Sequence, residues 1–157
     1  MNLGKVTLEK QGESRSVNLE KGAESRPIHI NLNWQQGTGK RRGFLSGRSS
    51  APDLDLGCMF ELKDGTKSVI QPLGGNFGWP DSYPWIYLDK DDRSGRATDG
   101  ENLYIVKPEV VRKVMIFALI YEGAADFRSV GAYLSVVDHL GSMTQIALDN
   151  PDANRTF

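Results

Sequence analysis

The chain has 157 residues, of which 39% are hydrophobic and 25% are charged, the composition of an ordinary soluble globular protein. Its formal net charge of −1 gives no global field that would favour nucleic acid or an anionic membrane as the main partner. The single cysteine, Cys58, excludes a disulfide framework and a zinc site built from several cysteines. We therefore expect one soluble domain over 1–157 that binds no nucleic acid.

No segment has the pattern of a leader or of a membrane span. The first residues carry charge early and lack the apolar core of a signal peptide. The longest apolar run, 114–121, is far shorter than the roughly 20 residues that a membrane helix needs. The sequence therefore predicts a cytoplasmic protein.

The first part of the chain predicts short strands. A phrase at 5–10 returns eleven residues later at 16–21, and each copy alternates apolar with polar residues, which favours two similar edge strands. The segment 28–34 alternates throughout and predicts a strand, with His29 on the polar face as an exposed residue rather than a ligand.

The segment 35–52 predicts a solvated loop. It carries Lys40, Arg41 and Arg42 and no acidic residue, so its alternative role is a docking patch for an acidic partner or polyanion. Its G-T-G-K phrase lacks the spacing of a phosphate-binding loop.

The segment 53–70 predicts a β-hairpin. It begins as an alternating strand with Asp53 and Asp55 on one face, and a turn at 63–66 leads into a short second strand. Carboxylates at positions i and i+2 of a strand project the same way, roughly 6–7 Å apart. That spacing suits joint coordination of a cation.

The segment 73–86 is rich in glycine, proline and aromatic residues, and its prolines exclude a helix or a central strand. Trp79, Tyr83 and Trp85 predict either a lid over the end of a sandwich or a stacking platform for a sugar or base.

The last third predicts further strands. They cover 86–88, 102–106, 132–137 and 144–148, with one helical turn at 108–110 and a frayed tail at 149–157. The continuous apolar run 114–121 predicts a central strand buried on both faces, with a helix as the competing interpretation. The pattern as a whole predicts an all-β fold, an antiparallel β-sandwich of two packed sheets with long loops at one end.

The loop 88–102 holds the clearest chemical signal. It contains five acidic residues, Asp89, Asp91, Asp92, Asp99 and Glu101. Anionic groups this crowded repel one another, and a hard divalent cation relieves the repulsion by taking oxygen ligands. The spacing does not fit an EF-hand. The alternative is a solvated charge cluster without metal, in which Lys90, Arg93 and Arg96 balance the acids.

Four phrases of the sequence resemble the TerD/TerA-type tellurium-resistance family. They are V-N-L-E-K-G at 17–22, D-L-D at 53–55, D-D-R-S-G at 91–95 and D-G-E-N at 99–102. The resemblance extends from about residue 16 to about residue 148. The long basic loop and the P-W-I-Y segment are closer to the TerA branch.

Members of that family are β-sandwiches of bacterial stress-response operons, and they bind calcium through this strand and loop. The resemblance implies Ca²⁺ ligands at Asp53, Asp55, Asp91, Asp92, Asp99 and Glu101, with Asp89 and Asn76 as further candidates. The loop has fewer acids than the family pattern and carries Arg96, so either one or two ions are expected. The implied role is a non-enzymatic scaffold that binds other proteins of a stress complex.

Two other classes of function remain open at this point. Only two histidines are present and no nucleophile motif is found, so a metal-dependent hydrolase has little support. In a calcium-dependent carbohydrate-binding module of lectin type, Trp79 and Trp85 would stack on a sugar beside the ion.

Overall fold

The computed structural model describes residues 6–8, 26–35, 51–91 and 99–149. Nine strands lie within these ranges: β1 Val6–Leu8, β2 Ile28–Asn33, β3 Asp53–Leu62, β4 Lys67–Ile70, β5 Ile86–Leu88, β6 Glu101–Ile105, β7 Val111–Glu122, β8 Tyr133–Val137 and β9 Met143–Ala147. Single 3₁₀ turns lie at Pro108–Val110 and Arg128–Val130. No helix among these residues has the length and apolar character needed to cross a membrane.

The strands form two sheets. One has six strands in the order β1-β9-β8-β2-β6-β5, and the other has three in the order β4-β3-β7. All pairings are antiparallel except that of β1 with β9, which is parallel. The predicted all-β antiparallel architecture is therefore confirmed, with one parallel pair at an edge.

A hydrophobic core of described residues draws on both sheets. Strand β2 contributes Ile28, Ile30 and Leu32, and the even-numbered residues of β3 from Leu54 to Leu62 face the same core. Because side chains alternate across a strand, the odd-numbered residues of β3 lie on the outer face of the three-stranded sheet. Asp53 and Asp55 are therefore on the face that the sequence predicted.

The hairpin at 53–70 is confirmed, since β3 and β4 pair antiparallel from Cys58–Ile70 to Glu61–Lys67. The helical turn at 108–110 is also confirmed. Of the two echoed phrases, the first contains β1, and the second lies outside the described residues together with the basic loop from residue 36 and the tail from residue 150.

The prediction for 114–121 was only partly right. The segment lies within strand β7, so the helical alternative is wrong, but burial on both faces is wrong as well. Strand β7 is at the edge of the three-stranded sheet, and Met115 and Tyr121 are 57% and 59% exposed. The prediction of burial on both faces failed because the outward-facing positions of this strand also carry apolar side chains. The alternation that marks a half-buried strand is therefore absent.

Cys58 is a buried core residue. Burial raises the pKa of its thiol from about 9.0 to about 12, against a smaller lowering by a backbone hydrogen bond from Ile70. The thiolate is the reactive form, so we expect native protein to be inert to a thiol reagent at pH 8 and denatured protein to react fully. Stability should fall as pH rises from about 9.0 towards 12, because the unfolded thiol ionises first. Rapid labelling of native protein would contradict this placement.

Candidate metal centre

Three carboxylates from distant parts of the chain meet at one end of the three-stranded sheet. Asp53, Asp55 and Asp91 each offer an oxygen, and these oxygens lie within 4.8 Å of one another. Asp53 and Asp55 are only 4% and 6% exposed. The structure thus brings together the D-L-D strand and the acidic loop, as the sequence predicted.

The backbone explains this convergence. Asp53 and Asp55 lie on the outer face of β3 where it pairs with Glu122 and Leu119 of β7, and the register shifts between Asp53 and Leu54. Asp91 follows shortly after β5, the edge strand of the six-stranded sheet. The cluster therefore bridges the ends of the two sheets.

The carboxylates line a small cavity. It has a volume of about 70 Å³, and its other walls are Pro72, Leu73, Gly74 and Tyr121. Since one water occupies about 30 Å³ of liquid volume, the space accommodates a cation with a small number of waters. None of the four wall residues was predicted from sequence. Tyr121 lies on the same outer face of the sheet as the cluster, and the alternation of side chains along β7 would have indicated that position.

The closeness of three acidic groups makes mutual repulsion one electrostatic feature of the cluster. Two like charges about 5 Å apart at an effective dielectric constant of about 20 repel by about 3 kcal/mol. A divalent cation bound between such carboxylates relieves this repulsion. Oxygen donors alone are the set that Ca²⁺ and Mg²⁺ prefer.

Glu101 has a different place from the three aspartates. It is 0% exposed, and its Oε2 accepts a hydrogen bond of 2.7 Å from the backbone N–H of Leu56. Glu101 shares the inner face of β6 with Leu103 and Ile105, so its side chain crosses from one sheet to the other. This contact ties the end of the acidic loop to β3, one residue from Asp55.

Asp89 closes the base of the loop. Its Oδ1 accepts from the backbone N–H of Asn102 at 3.1 Å, and its Oδ2 accepts from the Asn102 side-chain amide at 3.1 Å. The backbone N–H of Asp89 donates to the Asn102 carbonyl at 2.9 Å. Both carboxylate oxygens thus hold the two ends of the loop together.

Asn31 of β2 holds the far end of the same loop. Its Nδ2 donates to the carbonyl oxygen of Asp99 at 2.7 Å, to that of Glu101 at 3.3 Å and to Oδ1 of Asn102 at 3.0 Å. The alternation of 28–34 puts Asn31 on the polar face of its strand and indicates nothing of these contacts. Its pairing with Asn102 follows from the register of β2 with β6, which sequence alone does not supply.

His29 is half-buried on the same face, rather than exposed as predicted. Its Nε2 lies 2.8 Å from Oδ1 of Asn102, and its ring stacks on Tyr104 at 4.7 Å between centroids. Tyr104 in turn stacks on Tyr87 at 5.0 Å. These cross-strand contacts cover part of the ring, and the pattern of a single strand does not reveal them.

The remaining candidate ligands lie apart from the cluster or outside the described residues. Asp99 is exposed and forms an ion pair of 2.7 Å with Lys90, and this hydrogen bond lowers the pKa of its carboxyl. Asn76 is exposed, and its amide donates to the carbonyl of Val69. Asp92 lies outside the described ranges.

The three aromatic residues of the segment 73–86 differ in how much of each ring is covered. Tyr83 meets Trp85 edge-on, at 5.7 Å and 72°, and the Lys107 ammonium lies 4.0 Å over the Trp85 ring. Trp79 is 65% exposed. One face of Trp85 is therefore already covered, whereas most of Trp79 is accessible. The basic residues Lys40, Arg41 and Arg42 lie outside the described ranges.

Comparison with known proteins now identifies the family. Protein-family models give no match to the chain. A tellurium resistance protein TerA of an Alcaligenes species is 45% identical over 127 residues, which is 78% of this chain. The chain belongs to the TerD/TerA-type tellurium-resistance family.

The alignment spans 37% of the TerA relative. This TerD/TerA-type chain thus matches little more than a third of that protein. What the larger protein does as a whole carries over to this chain only as a proposal.

Proposed function

We propose that this chain is a calcium-binding, non-enzymatic scaffold domain of a bacterial tellurium-resistance and stress-response system. The observation that carries the proposal is the meeting of Asp53, Asp55 and Asp91 within 4.8 Å. The TerA relative supports the tellurium-resistance setting. The single buried cysteine suits a reducing compartment, so the proposed location is the cytoplasm.

The donor set fits a hard divalent cation. Three carboxylates supply three to six oxygens, depending on whether each binds through one oxygen or two, and the cavity has room for waters. Calcium takes roughly 6–8 oxygens in flexible geometry, whereas magnesium demands a strict octahedron. An irregular group drawn from a strand and a loop favours calcium, and the proposal places one ion here.

The other predicted ligands have different roles in the proposal. Asp92 is the next residue after Asp91 and is proposed as a further ligand. Glu101 and Asp89 are proposed to act chiefly by fixing the loop, because the contacts of Glu101 with Leu56 and of Asp89 with Asn102 do so. Asp99 and Asn76 would reach an ion only after leaving their present contacts.

A scaffold is favoured over a metal-dependent hydrolase by the kind of ligands present. The cluster consists of carboxylates alone, and crowded acids suit ligation better than separate acid and base roles. In the proposed role the ion joins β3 to the acidic loop. It thereby fixes a surface on which other proteins of the stress complex dock.

The role is tested by growth on tellurite in a host that lacks its own TerD/TerA-type genes. We expect the wild-type chain to restore growth and Asp55→Asn to lose most of that effect. The matched control is Asp81→Asn, since Asp81 is exposed and outside the cluster. Equal growth of all three strains, or no rescue by the wild-type chain, would contradict the proposed role.

A further inference from the structure

The acidic loop is anchored at its base by a hydrogen-bonded hub centred on the side chain of Asn102. The Asn102 amide nitrogen donates to Asp89, and its amide oxygen accepts from Asn31 and faces the His29 ring nitrogen. Asp89 is at the entrance of the loop, and Asn102 is at its exit. The hub therefore sets where the loop leaves one strand and enters the next.

The orientation of the Asn102 amide is determined by its neighbours. An ionised carboxylate only accepts hydrogen bonds, so the group facing Asp89 Oδ2 must be the NH₂ of Asn102. The oxygen is then left to accept from Asn31 Nδ2, which also donates to the Asp99 and Glu101 carbonyls. His29 donates through Nε2 in the same arrangement, so each contact is made with a matched donor and acceptor.

The hub fixes the loop from the side opposite the carboxylate cluster. Asn31 and Asn102 are cross-strand partners on the outer face of the six-stranded sheet, whereas Asp53 and Asp55 are on the outer face of the three-stranded sheet. Asp91 is two residues beyond Asp89, so its position relative to β3 depends on where the hub holds Asp89. Residues that orient metal ligands without touching the metal typically change affinity 10–100-fold when replaced.

We propose that Asn31, Asn102 and Asp89 are positioning residues that preorganise the acidic loop for cation binding without coordinating the ion. This inference rests on the proposed calcium site and adds to it the residues that control its affinity. It assigns Asp89 a role different from that of a ligand. It also makes Asn31, on a strand that carries none of the predicted ligands, a determinant of affinity.

The test is isothermal titration of chelator-treated protein with Ca²⁺, using single substitutions in the hub and one outside it. Asn102→Asp replaces the NH₂ that faces Asp89 by an oxygen, so two carboxylates repel at the base of the loop, and we expect Kd to rise 10–100-fold. Asn31→Ala should raise Kd by a similar factor. Asn33→Ala is the matched control, because Asn33 is two residues along the same face of β2, and none of the hydrogen bonds described for the loop involves its side chain; Kd should stay within twofold.

A charge-swapped double variant separates this role from a general loss of folding. In Asp89→Asn with Asn102→Asp, the new amide at 89 donates to the new carboxylate at 102, which still accepts from Asn31 and His29. We expect this pair to recover most of the affinity that Asn102→Asp loses, while Asp89→Asn alone stays intermediate. Failure of the swap to recover affinity would show that Asp89 acts as a ligand and would overturn the inference.

Two further outcomes are distinct. Wild-type protein that gives no Ca²⁺ binding would overturn the proposed calcium site and this inference with it. Wild-type binding with an unchanged Kd in Asn102→Asp and Asn31→Ala would overturn this inference alone, even if the melting temperature of both chelated variants fell.

Discussion

Replacing Gly100 by alanine is expected to destabilise the protein by about 4 kcal/mol, among the largest effects of a single methyl group. Gly100 has a φ of +62°, and a Cβ there would lie 2.1 Å from the Leu32 carbonyl oxygen and 3.2 Å from the Asn33 Cα. These are backbone atoms of β2, which is held on both sides by β6 and β8. Relief of the clash must therefore separate the end of the acidic loop from β2.

Gly65→Ala is the matched control. Gly65 has a φ of +89°, but nothing lies within 4 Å of the added Cβ, so only the left-handed backbone cost of about 1–2 kcal/mol applies. At roughly 2–4 °C per kcal/mol for a chain of this size, thermal melting should show a drop of about 8–16 °C for Gly100→Ala and about 2–8 °C for Gly65→Ala. Equal drops would contradict the close approach of the loop to β2.

Removing the Glu101 side chain is expected to cost about 3 kcal/mol. Glu101→Ala leaves the buried N–H of Leu56 without its acceptor, at about 1–3 kcal/mol, and opens a cavity between the sheets. Glu101→Gln retains an oxygen for the Leu56 N–H and nearly the same volume. We expect a loss of about 1 kcal/mol for the glutamine variant, because the acceptor for Leu56 is kept and only the second carboxyl oxygen is replaced by an NH₂ group.

Chemical denaturation of the chelated variants measures these costs. Equal losses of unfolding free energy in the alanine and glutamine variants would mean that the hydrogen bond to Leu56 does not account for the stabilising effect of Glu101. Calcium titration of Glu101→Gln then reports on ligation separately. A Kd near that of wild type is expected if Glu101 acts by fixing the loop, and a rise of more than 100-fold would make it a ligand.

Sequence patterns predicted the strands well where the two faces differ in polarity. In 28–33 every apolar position is on the core side, and in 53–62 every one except the exposed Met59 is, so alternation gave both the strand and its orientation. Alternation did not predict the orientation of strand β7, because its exposed side chains include Met115 and Tyr121. An apolar side chain tolerates exposure singly, so a continuous apolar run does not distinguish an edge strand from a buried one.

The sequence predicted which segments meet at the candidate site but not where each acidic side chain lies. The pairing of the D-L-D strand with Asp91 was anticipated, whereas the separate positions of Asp89, Asp99 and Glu101 were not. Glu101 could have been placed, since it shares its parity with Leu103 and Ile105 and so belongs to the inner face of β6. The contacts of Asp89 and Asn31 could not have been predicted, because they depend on which strands are neighbours. The spacing of charges along the chain does not give the order of strands in a sheet.

The most direct test of the calcium site is thermal melting of chelator-treated protein titrated with Ca²⁺ and, separately, with Mg²⁺. A ligand that binds only the folded state at a hundred times its Kd stabilises by about 2.7 kcal/mol. We therefore expect Ca²⁺ to raise the melting temperature of wild type and Asp81→Asn by about 5–10 °C and Mg²⁺ to raise it less. Asp55→Asn and Asp91→Asn should show no rise. An absent shift in wild type, or the same shift in all four proteins, would mean that the three aspartates do not form a calcium site.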